Sequence, residues 1–158
     1  RASLVSEAPP APADFGGDPE ADGAGATPAV LLAFLRARLA GDVGASAACC
    51  TSDLVLDSPN ERFTGLAEMR AQVFVRAALP PTKILRPLRV VADRAITAEG
   101  PNGQTRVTPY VREFEVKRPG ILHVTLRQEL HLRQAVDADG KPTSEKPKIC
   151  RIVMEVLK

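Results

Sequence analysis

A chain of 158 residues is long enough to form one domain with a substantial buried core. Its apolar share of 44% is ordinary for a globular protein, while 4% aromatics and no Trp exclude a surface built to stack nucleic-acid bases. No apolar run approaches the roughly 20 residues of a membrane-spanning helix, so membrane association, if any, is expected to be peripheral. The net charge of +2 gives only mild basicity in favour of nucleic acid, and no specific nucleic acid is expected as a partner.

Residues 1–26 alternate Pro, Ala, Gly and acid. They hold too little apolar surface to offset the entropy of ordering, which predicts a flexible acidic arm ahead of a domain at 27–158. The arm has one base, Arg1, against Glu7, Asp14, Asp18, Glu20 and Asp22, which leaves 20 basic and 14 acidic residues in the domain. Leu4, Val5 and Phe15 are its apolar exceptions and its candidate anchors on another surface. The chain opens on Arg and carries no apolar signal core. Its Ala/Arg/Pro flavour is that of an imported organellar protein after processing, with plastid ranked ahead of mitochondrion.

Thr27-Pro28 reads as an N-cap and a first helical position. Val30, Leu31, Phe34, Leu35 and Leu39 then form one helical stripe, with Arg36 and Arg38 off it, and Gly41 ends the helix. A short helix of small residues is expected from Asp42 to Cys50. Leu54-Val55-Leu56 reads as a strand, Asp57-Ser58-Pro59-Asn60 as a turn, and Arg62 to Gly65 as a short strand. The third helix is expected over Leu66 to Leu79, with Leu66, Met69, Val73 and Ala77 inward and Pro80-Pro81 ending it. Ile84–Val91 and Arg94–Glu99 read as strands around an Ala92-Asp93 turn. Thr105–Lys117 reads as a long strand between turns at Gly100–Gly103 and Pro119-Gly120. Over Ile121–Val136 the alternation is clean. Leu122, Val124, Leu126, Leu130 and Leu132 point one way, and His123, Thr125, Arg127, Glu129, His131 and Arg133 the other. Asp137–Gly140 turns the chain and Ile149–Leu157 closes the sheet. Helices first and hairpin-connected strands after them make an α+β pattern.

The stretch GDVGASAACCTSDLVLDSPNERFTGLAEMRAQV (Gly41 to Val73), followed by these strands, resembles the NTF2-like (SnoaL-like) superfamily. The resemblance covers residues 27–158. It implies a cystatin-like α+β cone, three N-terminal helices packed on a strongly curved, mainly antiparallel sheet. Such cones host isomerases, dehydratases, hydrolases and non-catalytic binding subunits, so fold does not fix function.

Enzymes of this fold use a carboxylate base with polar groups in the cone's mouth, which implies Asp57 as base and Tyr110 and Arg112 as polarising groups. Asp57 shares a strand face with Val55, and it equally suits the opening of a turn. Tyr110 and Arg112 share a face with Phe114 and Val116, and they equally suit a rim pair. The histidines fall on the polar parity, which keeps both out of the cone. Cys49, Cys50 and Cys150 form no CxxC pair and no Cys/His cluster, so no metal site is expected and the thiols read as small buried residues. No cofactor motif occurs; Asp137–Gly140 lacks the later ligands of a calcium loop. A non-catalytic NTF2-like accessory subunit is therefore expected, docking on a larger organellar complex. Its partners would be protein subunits, or a second copy in a homodimer, met through Phe15 of the arm and through Arg127, His131 and Arg133 of the outer sheet face. A small-molecule isomerase, dehydratase or hydrolase with a pocket carboxylate is the alternative.

Overall fold

The computed structural model describes residues 27–100, 103–120 and 123–157. The arm with Leu4, Val5 and Phe15, the centre of the Gly100–Gly103 turn, and Leu122 lie outside the described residues. Helix α1 runs Ala29–Ala40 and buries Leu31, Phe34, Leu35 and Ala37. Its entry differs by one residue from the expected cap. Pro28 itself stands at the N-cap, φ −56° and ψ 136°, with no side chain closing the first turn. Gly41 ends the helix at φ +70°, a left-handed conformation that glycine adopts without a Cβ penalty. A Cβ there would also meet Ala77 Cβ at 3.4 Å. Helix α2 (Val43–Ala48) opens on the Asp42 carboxylate, which accepts from the Ala45 N–H at 3.0 Å.

Strand β1 (Cys50–Asp57) and strand β2 (Arg62–Thr64) form a hairpin that pairs Asp57 with Arg62. Gly65, at φ +93°, turns the chain into helix α3 (Leu66–Met69). The third helix is shorter than its α-periodicity predicts. After Met69 it widens into a π-helical turn, Arg70–Phe74, and stops. The wider turn moves Phe74 onto the inner side. Phe74 is fully buried and meets Phe34 edge-on with ring centroids 5.8 Å apart, whereas Val73 is only half-buried and Ala77 is exposed.

The remaining strands are β3 (Lys83–Val90), β4 (Ile96–Gly100), β5 (Gly103–Lys117), β6 (His123–Ala135) and β7 (Lys148–Leu157). The path of the sheet is β2-β1-β7-β6-β5-β3, with β4 also on β5. Strands β3 and β4 do not form a hairpin around Ala92-Asp93. Strand β3 pairs with residues 110–115 of β5 and β4 with residues 103–107, so a single 3₁₀ turn, Ala92–Arg94, joins two successive segments of one edge. Strand β7 runs parallel to β1 and antiparallel to β6, and its Cys150 is an extra residue between the Arg151–His131 and Ile149–Leu132 pairs. That bulge sharpens the local bend.

Register assigns the faces. Leu130 sits opposite Tyr110 and Ile152, and Ile152 sits opposite Leu56, so these side chains share the concave face under the helices. The core there joins Leu31, Phe34 and Leu35 of α1 to Met69, Phe74, Leu54, Leu56, Leu130, Leu132, Ile149 and Ile152. Glu129, opposite Val111 and Val153, belongs to the outer face with Arg127, His131 and Arg133. Both histidines therefore lie outside the cone, as the alternation of β6 requires. Among the described residues, no helix is long and apolar enough to cross a membrane.

Candidate functional site

Because the helical layer stops at Phe74, the cone keeps a mouth. A cavity of about 190 Å³ opens there, floored by Phe34, Leu56, Met69, Phe74 and Ile152 and rimmed by Leu39, Leu79 and Met154. Three polar side chains reach it: Arg38 from α1, Arg112 from β5 and Gln128 from β6. Arg112 is only 6% exposed. Its Nε donates to Gln128 Oε1 at 2.7 Å, and its guanidinium lies 4.2 Å from the centre of the Phe114 ring. Burial lowers its pKa to about 9, so the cation persists at neutral pH. A buried guanidinium is planar, rich in donors and weakly hydrated, and it favours a carboxylate or carbonyl delivered into the same apolar space.

Arg38 works at the mouth. It donates to the Arg76 carbonyl at 2.9 Å and to the Val73 carbonyl at 3.4 Å, and its guanidinium carbon sits 5.1 Å from the Phe74 ring centre. It thereby ties off the carbonyl end of the π turn. Burial, then the nearby Arg76 charge, lowers its pKa.

The three candidates for acid–base work do not converge. Tyr110 and Arg112 face the cone, and Tyr110 packs on the core with its pKa raised by burial. Asp57 points to the opposite side of the sheet, where Arg151 donates to its Oδ2 and Arg62 lies 3.1 Å from its Oδ1. The reason is strand parity: Leu54 and Leu56 take the inner face, which sends Val55 and Asp57 outward. No carboxylate or imidazole lines the cavity among the described residues.

The outer face centres on Glu129, 7% exposed. Arg94 donates to both of its oxygens at 3.3 Å, Arg127 approaches at 3.3 Å and His131 Nε2 lies at 3.0 Å. Burial alone would raise this carboxyl, but the His131 and Arg94 hydrogen bonds and the Arg94 and Arg127 charges hold it below the usual value. Arg133 forms a two-point contact with Asp53 at 3.0 and 3.2 Å. The outer-face residues expected to meet a partner are thus each engaged within the chain. The thiols of Cys49 and Cys50 donate to the carbonyls of Ala45 and Ser46. No group of three His, Cys, Asp or Glu side chains is placed to hold a metal ion among the described residues.

Two members of the site escaped the sequence reading. Gln128 occupies the inner parity between Leu126 and Leu130, where one polar residue interrupting an aliphatic series was the available signal. Arg38 lies off the apolar stripe, and its role depends on where the π turn ends, which periodicity does not report.

No family model matches the chain, and no curated protein matches it in sequence. Solved structures do. A cystatin-like fold protein from Burkholderia xenovorans LB400 superposes with a TM-score of 0.50 at 20% identity, covering 82% of this chain and 87% of that one. The Orange Carotenoid Protein of Anabaena (Nostoc) sp. PCC 7120, in a structure binding canthaxanthin, gives 0.50 at 13% identity over 85% of this chain and 38% of its own. A ketosteroid isomerase-like protein from Erwinia carotovora atroseptica SCRI1043 gives 0.45 at 18% identity over 82% and 92%. The fold is the NTF2-like, cystatin-like cone. Identities this low speak to fold alone.

Proposed function

We propose that this NTF2-like domain acts by binding, and that its cone receives a small apolar molecule carrying one carboxylate or carbonyl group. The observation that carries the reading is Arg112, a cation buried in a pocket whose other lining is mostly aliphatic and aromatic. A site of this kind selects by shape and by one convergent polar contact. Proton abstraction finds less support, since the cavity's described lining offers cations and an amide but no base. Calorimetry with phenylacetate and with its neutral counterpart toluene tests the proposal. The full chain should prefer the carboxylate, and Arg112→Met, which keeps most of the volume, should lose that preference while still taking toluene. Equal affinity of the unmodified chain for both probes, or none for either with the pocket accessible, refutes it.

A second reading is the accessory subunit docking on a larger organellar protein assembly through the outer sheet face, with a plastid as its compartment. Its support is Ile96, a large apolar side chain 60% exposed on the outer face of β4, close in sequence to the Arg94 that holds Glu129. An Arg127→Glu, Arg133→Glu chain that still co-elutes with every partner of the unmodified chain would remove this reading.

A further inference from the structure

The cavity's cationic lining is opposite in charge to the acidic segment at residues 1–26 of the same chain. We propose that the N-terminal arm is the cone's resident occupant, with Phe15 entering the mouth and the flanking Asp14 and Asp18 set against the Arg38 and Arg112 side. The proposal rests on the binding role proposed for the cone and adds its regulation: a ligand must displace the arm.

Four observations carry it. The first is charge: residues 1–26 hold five acids against one base, while the ionisable side chains lining the cavity among the described residues are the cations Arg38 and Arg112. The second is reach. Thr27 lies twelve residue steps beyond Phe15, and extended chain spans about 40 Å over that length. The C-terminal half of α1, which supplies Phe34, Leu35, Arg38 and Leu39 to the cavity, lies within about 18 Å of its start. The third is size, for an engineered apolar cavity of about 150 Å³ takes a benzene ring, and this one measures about 190 Å³. The last is the rim. Leu79 is 43% exposed, and Val156, which continues the Ile152–Met154 face of β7 beyond the cavity, is 59% exposed. These form an apolar apron suited to the arm's few apolar residues. Along the same inner face, Phe114 and Val116 are buried although neither belongs to the contiguous helix–sheet core.

The chain offers its own reporters, because its only two methionines, Met69 and Met154, both line the cavity. In the full chain labelled with ¹³C-methyl methionine, the Phe15 ring should shift at least one methyl signal, and Phe15→Ala should abolish that shift. Phenylacetate should bind Phe15→Ala about tenfold more tightly than it binds the unmodified chain, the equivalent of the burial of one phenyl ring forgone. Asp14→Asn with Asp18→Asn should move affinity in the same direction by less. Methyl spectra identical in the unmodified chain and Phe15→Ala overturn the proposal, whatever the ligand does. Methyl shifts that respond to Phe15→Ala, with no phenylacetate binding to either chain, leave the arm in the cone and reject the ligand role instead.

Discussion

Replacing Arg38 with Met tests whether the short third helix is held by a side chain from α1. The substitution keeps most of the aliphatic packing and removes a guanidinium that donates to the Arg76 and Val73 carbonyls and lies over Phe74. A charged hydrogen bond to a helix-end carbonyl is worth about 1.5 kcal/mol or more when well made. The contact to Arg76 is exposed and the one to Val73 is long, so the pair is discounted to about 1 kcal/mol. The cation–π contact adds about 0.5–1 kcal/mol. The expected loss is therefore about 2 kcal/mol, or about 7 °C in Tm for a domain of this size. Urea unfolding followed by circular dichroism should show the midpoint falling with the m-value unchanged. The Phe74 region should also lose amide protection ahead of the sheet. A Tm within 1 °C of the unmodified chain, or uniform loss of protection, would refute the assignment of Arg38 as the tie across the cone's mouth.

Gly41→Ala should cost about 1–2 kcal/mol, because it puts a Cβ on a left-handed backbone at φ +70°; chemical denaturation reads this directly. Glu129 makes stability depend on acid. Its folded pKa lies below the ordinary carboxylate value, so its contribution is complete above that value and is lost as pH falls through it toward the depressed one. The stability curve below pH 5 should flatten in Glu129→Gln, and an unchanged acid limb would contradict the outer-face network. Burial pushes the Cys50 thiol up to about 12 and raises Cys49 and Cys150. All three should therefore resist maleimide at pH 8 until the chain is unfolded; rapid stoichiometric labelling of the native protein would show the thiols to be accessible.

Sheet phase was legible wherever one face alternates strictly, and β6 is the clearest case: five aliphatics on one parity placed both histidines outside. Asp57 was not so legible: the apolar Leu54-Val55-Leu56 run does not show which parity faces the helices, and only the burial of Leu54 and Leu56 sends Val55 and Asp57 outward. Strand β5 was harder to read. Val107 and Val111 lie on its outer face and Phe114 and Val116 on its inner one, and Val111 is as fully buried as any core residue, so apolar content there does not report direction. The π turn left no trace in spacing. Leu66, Met69, Val73 and Ala77 satisfy an α-helix, and only packing of Phe74 against Phe34 reveals that the turn widens. Pairing of β3 and β4 was equally hidden, since a turn-like Ala92-Asp93 looks the same whether the chain reverses or merely steps along an edge.

The position of β7 between β1 and β6 has a consequence for synthesis. Cys50 must register against Ile149, and Leu56 against Ile152, across nearly the whole domain. During translation β1 and β2 wait with an unpaired flank while the intervening hairpins form. Such distant pairing is slow and leaves backbone edges open to other chains. The nascent chain is thus most vulnerable to aggregation in the interval before β7 clears the ribosome, and a chaperone able to shield the β1 edge would matter most then.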